Sequence, residues 1–201
     1  MKAIEELLQN AGITPIAGVD EAGRGPCAGP LVVAAVVLKD PFIPELAQVR
    51  DSKEVPEKER GTLFDLIYEV AESVSVVVIS VSEIDQRGVH AANLEGMRRA
   101  VQGLSVKPAY VLTDGYAIEG LGIANLAVWK GDQVVTAISA ASIIAKVTRD
   151  RAMIELDKKY PQYGFASHKG YITAAHTKAL EVHGPCVEHR TSFSNIAALQ
   201  H

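Results

Sequence analysis

Four acidic residues, Asp20, Glu21, Asp114 and Asp132, stand at or just past the ends of predicted strands or at a helix start. Ligands of open α/β sheets bind at strand ends. Carboxylates that converge there repel one another and raise each other's pKa unless a cation neutralises them. Hard oxygen donors select Mg²⁺ or Mn²⁺, and two such ions can clamp the attacking water and leaving oxygen of a phosphodiester. Metal-assisted phosphoryl transfer is therefore the expected chemistry. Neighbours in a regular strand point to opposite faces, so Asp20 and Glu21 serve one site only where the strand ends. Ala22-Gly23 supplies that ending. Asp114-Gly115 and Gly131-Asp132 are, taken singly, also ordinary turn and cap signals.

Other chemistries find less support. Gly23-Arg24-Gly25-Pro26-Cys27-Ala28 matches a dinucleotide-binding G-x-G-x-x-A, but that motif must open a helix, and Pro26, Gly29 and Pro30 lead into a strand instead. No nucleophile elbow or Ser/Cys triad pattern is visible. His168, His176, His183 and His189 lack zinc-site spacing and read as surface or helix-end residues, with His168 singled out because it precedes Tyr171. Cys27 and Cys186 form no metal-type pair and read as reduced thiols.

The elements that must position the acids follow from the hydrophobic pattern. Residues 1–9, with Ile4, Leu7 and Leu8, predict a short amphipathic helix. Thr14–Val19 and Leu31–Leu38 read as strands of one hairpin. Past Pro56, Leu63, Leu66, Ile67 and Val70 fall at i, i+3, i+4, i+7 of a helix. Val74–Val81 is a β-branched third strand, Ser82-x-x-Asp85 resembles a capping box, and Leu94, Met97, Val101 and Leu104 form a helical stripe. Tyr110–Thr113 is a short strand ending on Asp114-Gly115, and the apolar stretch Ile123–Trp129 ends on Lys130-Gly131-Asp132. A long helix from about Val135 to Lys159 is stopped by Pro161, and a last helix spans about Thr173–Val182. This order implies one mixed sheet covered by helices.

At 201 residues, 48% hydrophobic and 22% charged, the chain is expected to be one globular domain, 1–201. Its most apolar run, Leu31–Leu38, is far shorter than the roughly 20 residues of a membrane span. With no leader-like segment, it is expected to be soluble and cytoplasmic. The net charge of −4 is unevenly spread: residues 1–145 hold 12 Lys/Arg against 19 Asp/Glu, and residues 146–201 hold 8 against 5. An acidic first part and a basic helical part from about 146 to 201 suit a carboxylate site beside a phosphate-binding surface. Charge permits nucleic-acid binding without establishing it.

Gly18-Val19-Asp20-Glu21-Ala22-Gly23-Arg24-Gly25-Pro26, followed by Ala28-Gly29-Pro30, closely resembles the signature of the ribonuclease HII family. Asp51-Ser52-Lys53, Lys107-Pro108 with Asp114-Gly115, and Lys130-Gly131-Asp132 fit it too. So do Ala140 to Val147 with Arg149-Asp150-Arg151, and His168-Lys169-Gly170-Tyr171. The matches run in order from about residue 16 to Phe193.

The resemblance implies a ribonuclease H-like α/β fold: a mixed five-stranded sheet, its first three strands antiparallel and its later strands parallel, flanked by helices. It implies that Asp20, Glu21, Asp114 and Asp132 are catalytic and metal-binding, with two Mg²⁺ or Mn²⁺ ions. It assigns Gly23, Arg24, Gly25 and Tyr171 to recognising a ribonucleotide 2′-hydroxyl at a junction with DNA. Glycines let backbone approach the sugar, and the 2′-hydroxyl tells RNA from DNA. Lys53, in a matched motif, and Lys146, sharing a helix face with Ser142 and Arg149, are expected phosphate contacts.

The related ribonuclease HIII enzymes carry an extra N-terminal domain and usually Lys where Arg24 stands, so the HII type is favoured. The implied substrate is an RNA–DNA hybrid or a DNA duplex with embedded ribonucleotides, cut by a monomer without an obligate protein partner. A junction resolvase on the same fold and a binding protein without catalysis are the rival readings.

Overall fold

The computed structural model describes residues 3–49, 52 and 55–199. Its elements, in chain order, are α1 (Ala3–Asn10), β1 (Ile16–Ala22), β2 (Leu31–Leu38), α2 (Glu57–Val70), β3 (Ala71–Ile79), α3 (Val81–Arg87) and α4 (Val89–Gln102). There follow β4 (Tyr110–Asp114), β5 (Ala124–Val128), α5 (Gly131–Val134), α6 (Thr136–Lys159), α7 (Phe165–His168), α8 (Ala174–His183) and α9 (Ser194–Ala197). One sheet holds all five strands in the order β3-β2-β1-β4-β5. β1, β2 and β3 pair antiparallel, whereas β4 runs parallel to β1 and to β5. This is the expected mixed sheet.

β2 has no polar residue because both its faces are covered. Val32, Ala34, Val36 and Leu38 pack with Ile138, Ala141 and Ile144 of α6 and with Leu63 and Ile67 of α2. Leu31, Val33, Ala35 and Val37 pack with Ala92, Met97 and Val101 of α4. α6 lies so close on β1 that a Cβ at Gly18 would sit 2.1 Å from the Ala137 carbonyl carbon. That approach sets the start of α6 over the middle of the sheet. Glu5 is buried, not on a polar face, because it caps α6: its carboxylate accepts from the N–H groups of Thr136 (2.7 Å) and Ala137 (3.0 Å).

Several boundaries differ from the sequence pattern: β1 starts at Ile16 rather than Thr14, and β3 ends at Ile79, leaving Val81 to open α3. β1 continues past Val19, since Asp20, Glu21 and Ala22 pair with Ala34, Val33 and Val32. β3 starts at Ala71 rather than Val74, because the length of β2 offers it partners back to Leu38. The capping residue of α3 is Ser80, whose hydroxyl accepts from the Glu83 N–H at 3.2 Å, and not Ser82. Asp85 instead receives the N–H and hydroxyl groups of Thr191 and Ser192.

Candidate active site

Because β1 stays in the ladder through Ala22, Asp20 and Glu21 point to opposite faces. Asp20 shares the face of Gly18, toward α6, where the Ser142 hydroxyl lies beside it. Glu21 shares the face of Val19, toward α4. Both still border one site, because Asp114 on the neighbouring strand β4 is close enough for its charge to act on each of them. Oxygens of Asp20, Asp114 and Asp132 all lie within 4.8 Å of one another, and Asp20 and Asp132 are buried. The Gly131 N–H donates to Asp114 Oδ1 at 2.8 Å, fixing the turn after β5 to the end of β4. Glu21 is outside this trio but close enough to Asp114 for their charges to interact.

Burial, then the charges of Glu21 and Asp114, hold the Asp20 carboxyl well above the usual carboxylate range. Burial also raises Glu21, against the opposing effects of Arg24 and the Asn93 amide. Glu21 Oε1 pairs with Arg24 Nη1 at 3.4 Å. Its Oε2 and both polar atoms of Asn93 are buried without hydrogen-bond partners, so the amide acts on the carboxylate as a nearby dipole. Convergent acids, raised pKa values and an orphaned carboxylate oxygen are what a divalent cation would satisfy. The residues fit such ions.

The Gly23-Arg24-Gly25 loop leaves β1 beside this cluster. Gly23 has φ +104, and a Cβ there would meet Arg149 Nε at 2.1 Å, so only glycine fits. Arg24 lies against Tyr116, its guanidinium 4.7 Å from the ring centroid and its Nη2 donating to the hydroxyl at 3.0 Å. Two buried arginines, both without a carboxylate hydrogen-bond partner among the described residues, hold the loop by its carbonyls. Arg190 donates to Gly23 (2.6 Å), Arg24 (3.1 Å) and Gly29 (2.9 Å), and Arg149 to Pro30, Ala28 and Lys169. Burial and then the charge of Arg149 lower the Arg190 pKa to about 10. The spacing of Arg149 with Ser142 and Lys146 suggests a binding face; the structure gives Arg149 a buried supporting role, and nothing in the sequence pattern marks Arg190.

Tyr171 is half exposed, and a Cβ on Gly25 would lie 3.6 Å from its ring. The Cys27 N–H donates to the Gly170 carbonyl at 3.1 Å, joining the two loops. Cys27 and Cys186 are free thiols. His176 and His189 are buried, not surface residues, because their rings fill the space between α8 and the chain after Cys186 and touch Phe165. His176 Nδ1 bonds the Tyr171 carbonyl at 2.9 Å, and His168 stacks on His176 with ring centroids 4.3 Å apart.

A cavity of about 440 Å³ is lined by Asp20, Gly23, Arg24, Gly25, Lys146 and Tyr171, with Ser52 on its wall. A second, of about 480 Å³, shares Glu21 and Arg24 with it and reaches Asp114, Asp132 and Trp129. Lys146 Nζ is held by Asp150 at 2.7 Å. Lys53 lies outside the described residues; its neighbour Ser52 receives a hydrogen bond from Ser142 at 2.9 Å.

Acids at the ends of β1 and β4 and just beyond β5, on a sheet of this order, define a nuclease of the ribonuclease H-like class. Residues 17–196 match the model of the family described as Ribonuclease HII, and the chain belongs to that family. It is 56% identical to the Ribonuclease HII of Mycolicibacterium smegmatis over 196 residues, 98% of this chain and 72% of that one. To the Ribonuclease HII of Rhodococcus opacus it is 54% identical, covering all of this chain and 89% of the other. The crystal structure of the ribonuclease H2 from Pyrococcus horikoshii OT3 superposes with a TM-score of 0.79 at 29% identity, covering 92% of this chain and 96% of that one. Family membership makes the protein a metal-dependent endoribonuclease acting on RNA in RNA–DNA hybrids. No helix among the described residues is long and apolar enough to cross a membrane.

Proposed function

We propose that the protein hydrolyses the phosphodiester 5′ to a ribonucleotide, in a hybrid or embedded in duplex DNA, leaving a 3′-hydroxyl and a 5′-phosphate. The observation that carries this reading is the convergence of Asp20, Asp114 and Asp132 beside a glycine loop that faces Tyr171. Asp20, Asp114 and Asp132 would hold two Mg²⁺ or Mn²⁺ ions, with Glu21 as the fourth carboxylate through its orphaned Oε2. Bound there, the ions supply Lewis acidity and a low-pKa water for in-line attack.

The chain's own residues supply the selection. Gly23 and Gly25 let backbone approach the ribose closely, and Arg24, steadied by Glu21 and Tyr116, fixes the loop against the 2′-hydroxyl. The half-exposed Tyr171 ring takes the following deoxyribose. Lys146, on the wall of the same cavity, contacts a backbone phosphate. Its replacement by Ala is expected to flatten the slope of log affinity against log salt by about one unit, on every sequence tested.

The decisive assay is a DNA duplex carrying a single ribonucleotide, incubated with Mg²⁺ or Mn²⁺ beside an all-DNA control. Cleavage confined to the 5′ side of the ribonucleotide is the expected result. Equal cutting of the control, or none with either metal, would defeat the reading.

A further inference from the structure

Trp129 is the only tryptophan of the chain, and it is 83% exposed. A ring of that size ordinarily gains by burial and finds a partner for its N–H. Among the described residues it has no ring or cation neighbour, whereas Tyr116 is engaged by Arg24 and His90. Trp129 borders the cavity that holds Asp114, Asp132, Glu21 and Arg24. It follows β5, the edge strand of the sheet. Lys130 then turns the chain in the left-handed conformation, φ 53, which is unfavourable for a residue that carries a side chain. The turn separates an outward Trp129 from the buried Gly131 and Asp132.

The position of the ring relative to the acids fixes what it can meet. The cavity beside Tyr171 and the cavity beside Trp129 adjoin at Glu21 and Arg24, and they divide the other acids, Asp20 lining the first and Asp114 and Asp132 the second. Strand spacing puts the end of β5 about 10 Å from the end of β1, or about three base steps along a strand. We propose that Trp129 is a stacking platform for the strand 5′ to the scissile phosphate, on the flank of the acids opposite Tyr171, with Lys130 beside it to meet the backbone. This rests on the cleavage position proposed above, with Tyr171 on the 3′ side. Stacking on a base tolerates any sequence, which suits an enzyme that selects a 2′-hydroxyl and not a base.

The test combines kinetics with the chain's single tryptophan. With Mg²⁺ and a duplex carrying one ribonucleotide, Trp129→Ala is expected to lower kcat/KM about tenfold through KM, while Trp129→Phe stays within about threefold of the parent. An abasic site placed two or three nucleotides 5′ of the ribonucleotide should reduce the parent enzyme to the level of Trp129→Ala and cost that variant nothing further. The same lesion on the 3′ side should reduce both proteins alike. Titration of the parent with the duplex in EDTA should quench tryptophan emission. An unchanged KM for Trp129→Ala, or equal losses in both proteins from the 5′ lesion, overturns the proposal. Should the parent fail to cut at the ribonucleotide, the cleavage reading has failed, and emission unchanged by the duplex then overturns the platform as well.

Discussion

The Nε2 atoms of His176 and His189 lie 3.0 Å apart, and both rings are buried. Every proton in this pair can be placed by elimination. The Tyr171 carbonyl only accepts, so His176 Nδ1 donates to it and the neutral ring offers Nε2 as an acceptor. His189 Nε2 therefore carries the proton, and its Nδ1 accepts from the Cys186 N–H at 2.9 Å. His168 is set in the same way: Nδ1 accepts from the Gly170 N–H, and Nε2 donates to the Tyr163 carbonyl. The Nε2–Nε2 contact and the acceptance by His189 Nδ1 both require that His176 and His189 be neutral.

Acid should therefore loosen the fold. Burial, and next the neighbouring His176, hold the His189 pKa at about 4, and burial lowers that of His176 as well. A histidine with a depressed folded pKa binds its proton more readily when unfolded. Stability is therefore complete above about pH 6.5 and falls as the pH drops toward 4. For His189 the loss is up to about 3 kcal/mol over that window. Urea unfolding at pH 7.5, 5.5 and 4.5 measures it, and His189→Gln should show a shallower dependence. Parallel pH profiles for the two proteins would remove the histidine pair from the explanation.

The acidic cluster has the opposite sign. A carboxyl whose folded pKa is raised, as that of Asp20 is, is destabilising in its charged form at neutral pH. Asp20→Asn should therefore raise the melting temperature in EDTA at pH 7.5, by about 2–4 °C for each kcal/mol relieved in a chain of this size. The parent should gain stability on adding Mn²⁺, and the variant should gain much less and lose cleavage. A variant that melts lower than the parent in EDTA would mean that the Asp20 charge is not a burden on the fold.

The sheet was legible in the sequence because β2 is apolar throughout and the 3.6-residue stripes of α4 and α6 are clear. The acids were legible as residues at strand ends. That Asp20 and Glu21 remain in the ladder was not, since only the length of β2 extends the pairing that far. Burial of Arg149, Arg190, His176 and His189 leaves no local trace either. Each is satisfied by carbonyls or rings far along the chain, and periodicity does not register such partners. Trp129 closes an apolar stretch of the sequence, yet the structure leaves its side chain outside.

Arg190 supports three carbonyls at once. Arg190→Met fills similar space but orphans those acceptors, at roughly 1–3 kcal/mol for each that stays buried. Arg190→Lys keeps the charge, yet one ammonium cannot reach Gly23, Arg24 and Gly29 in the fork geometry of a guanidinium. Both variants should show a clearly lower urea midpoint. A lysine variant as stable as the parent would show that charge, not the fork, is what the loop requires.

Gly23 and Gly25, two residues apart, should fail in different ways when given a methyl group. At Gly23 the backbone is left-handed and the new Cβ would meet Arg149 and the Pro30 carbonyl, so Gly23→Ala should lower stability by more than about 1 kcal/mol. At Gly25 the Cβ meets only the Tyr171 ring, at an ordinary 3.6 Å, so the fold should be unaffected. The methyl group would instead occupy the gap between loop and ring where the ribose is proposed to sit. Gly25→Ala is expected to melt within about 2 °C of the parent. Its kcat/KM on a single-ribonucleotide duplex should nonetheless fall by more than about tenfold, a loss of more than 1.4 kcal/mol of transition-state stabilisation. Calorimetry and initial rates on the two variants separate these outcomes, and full activity in Gly25→Ala would place the ribose elsewhere.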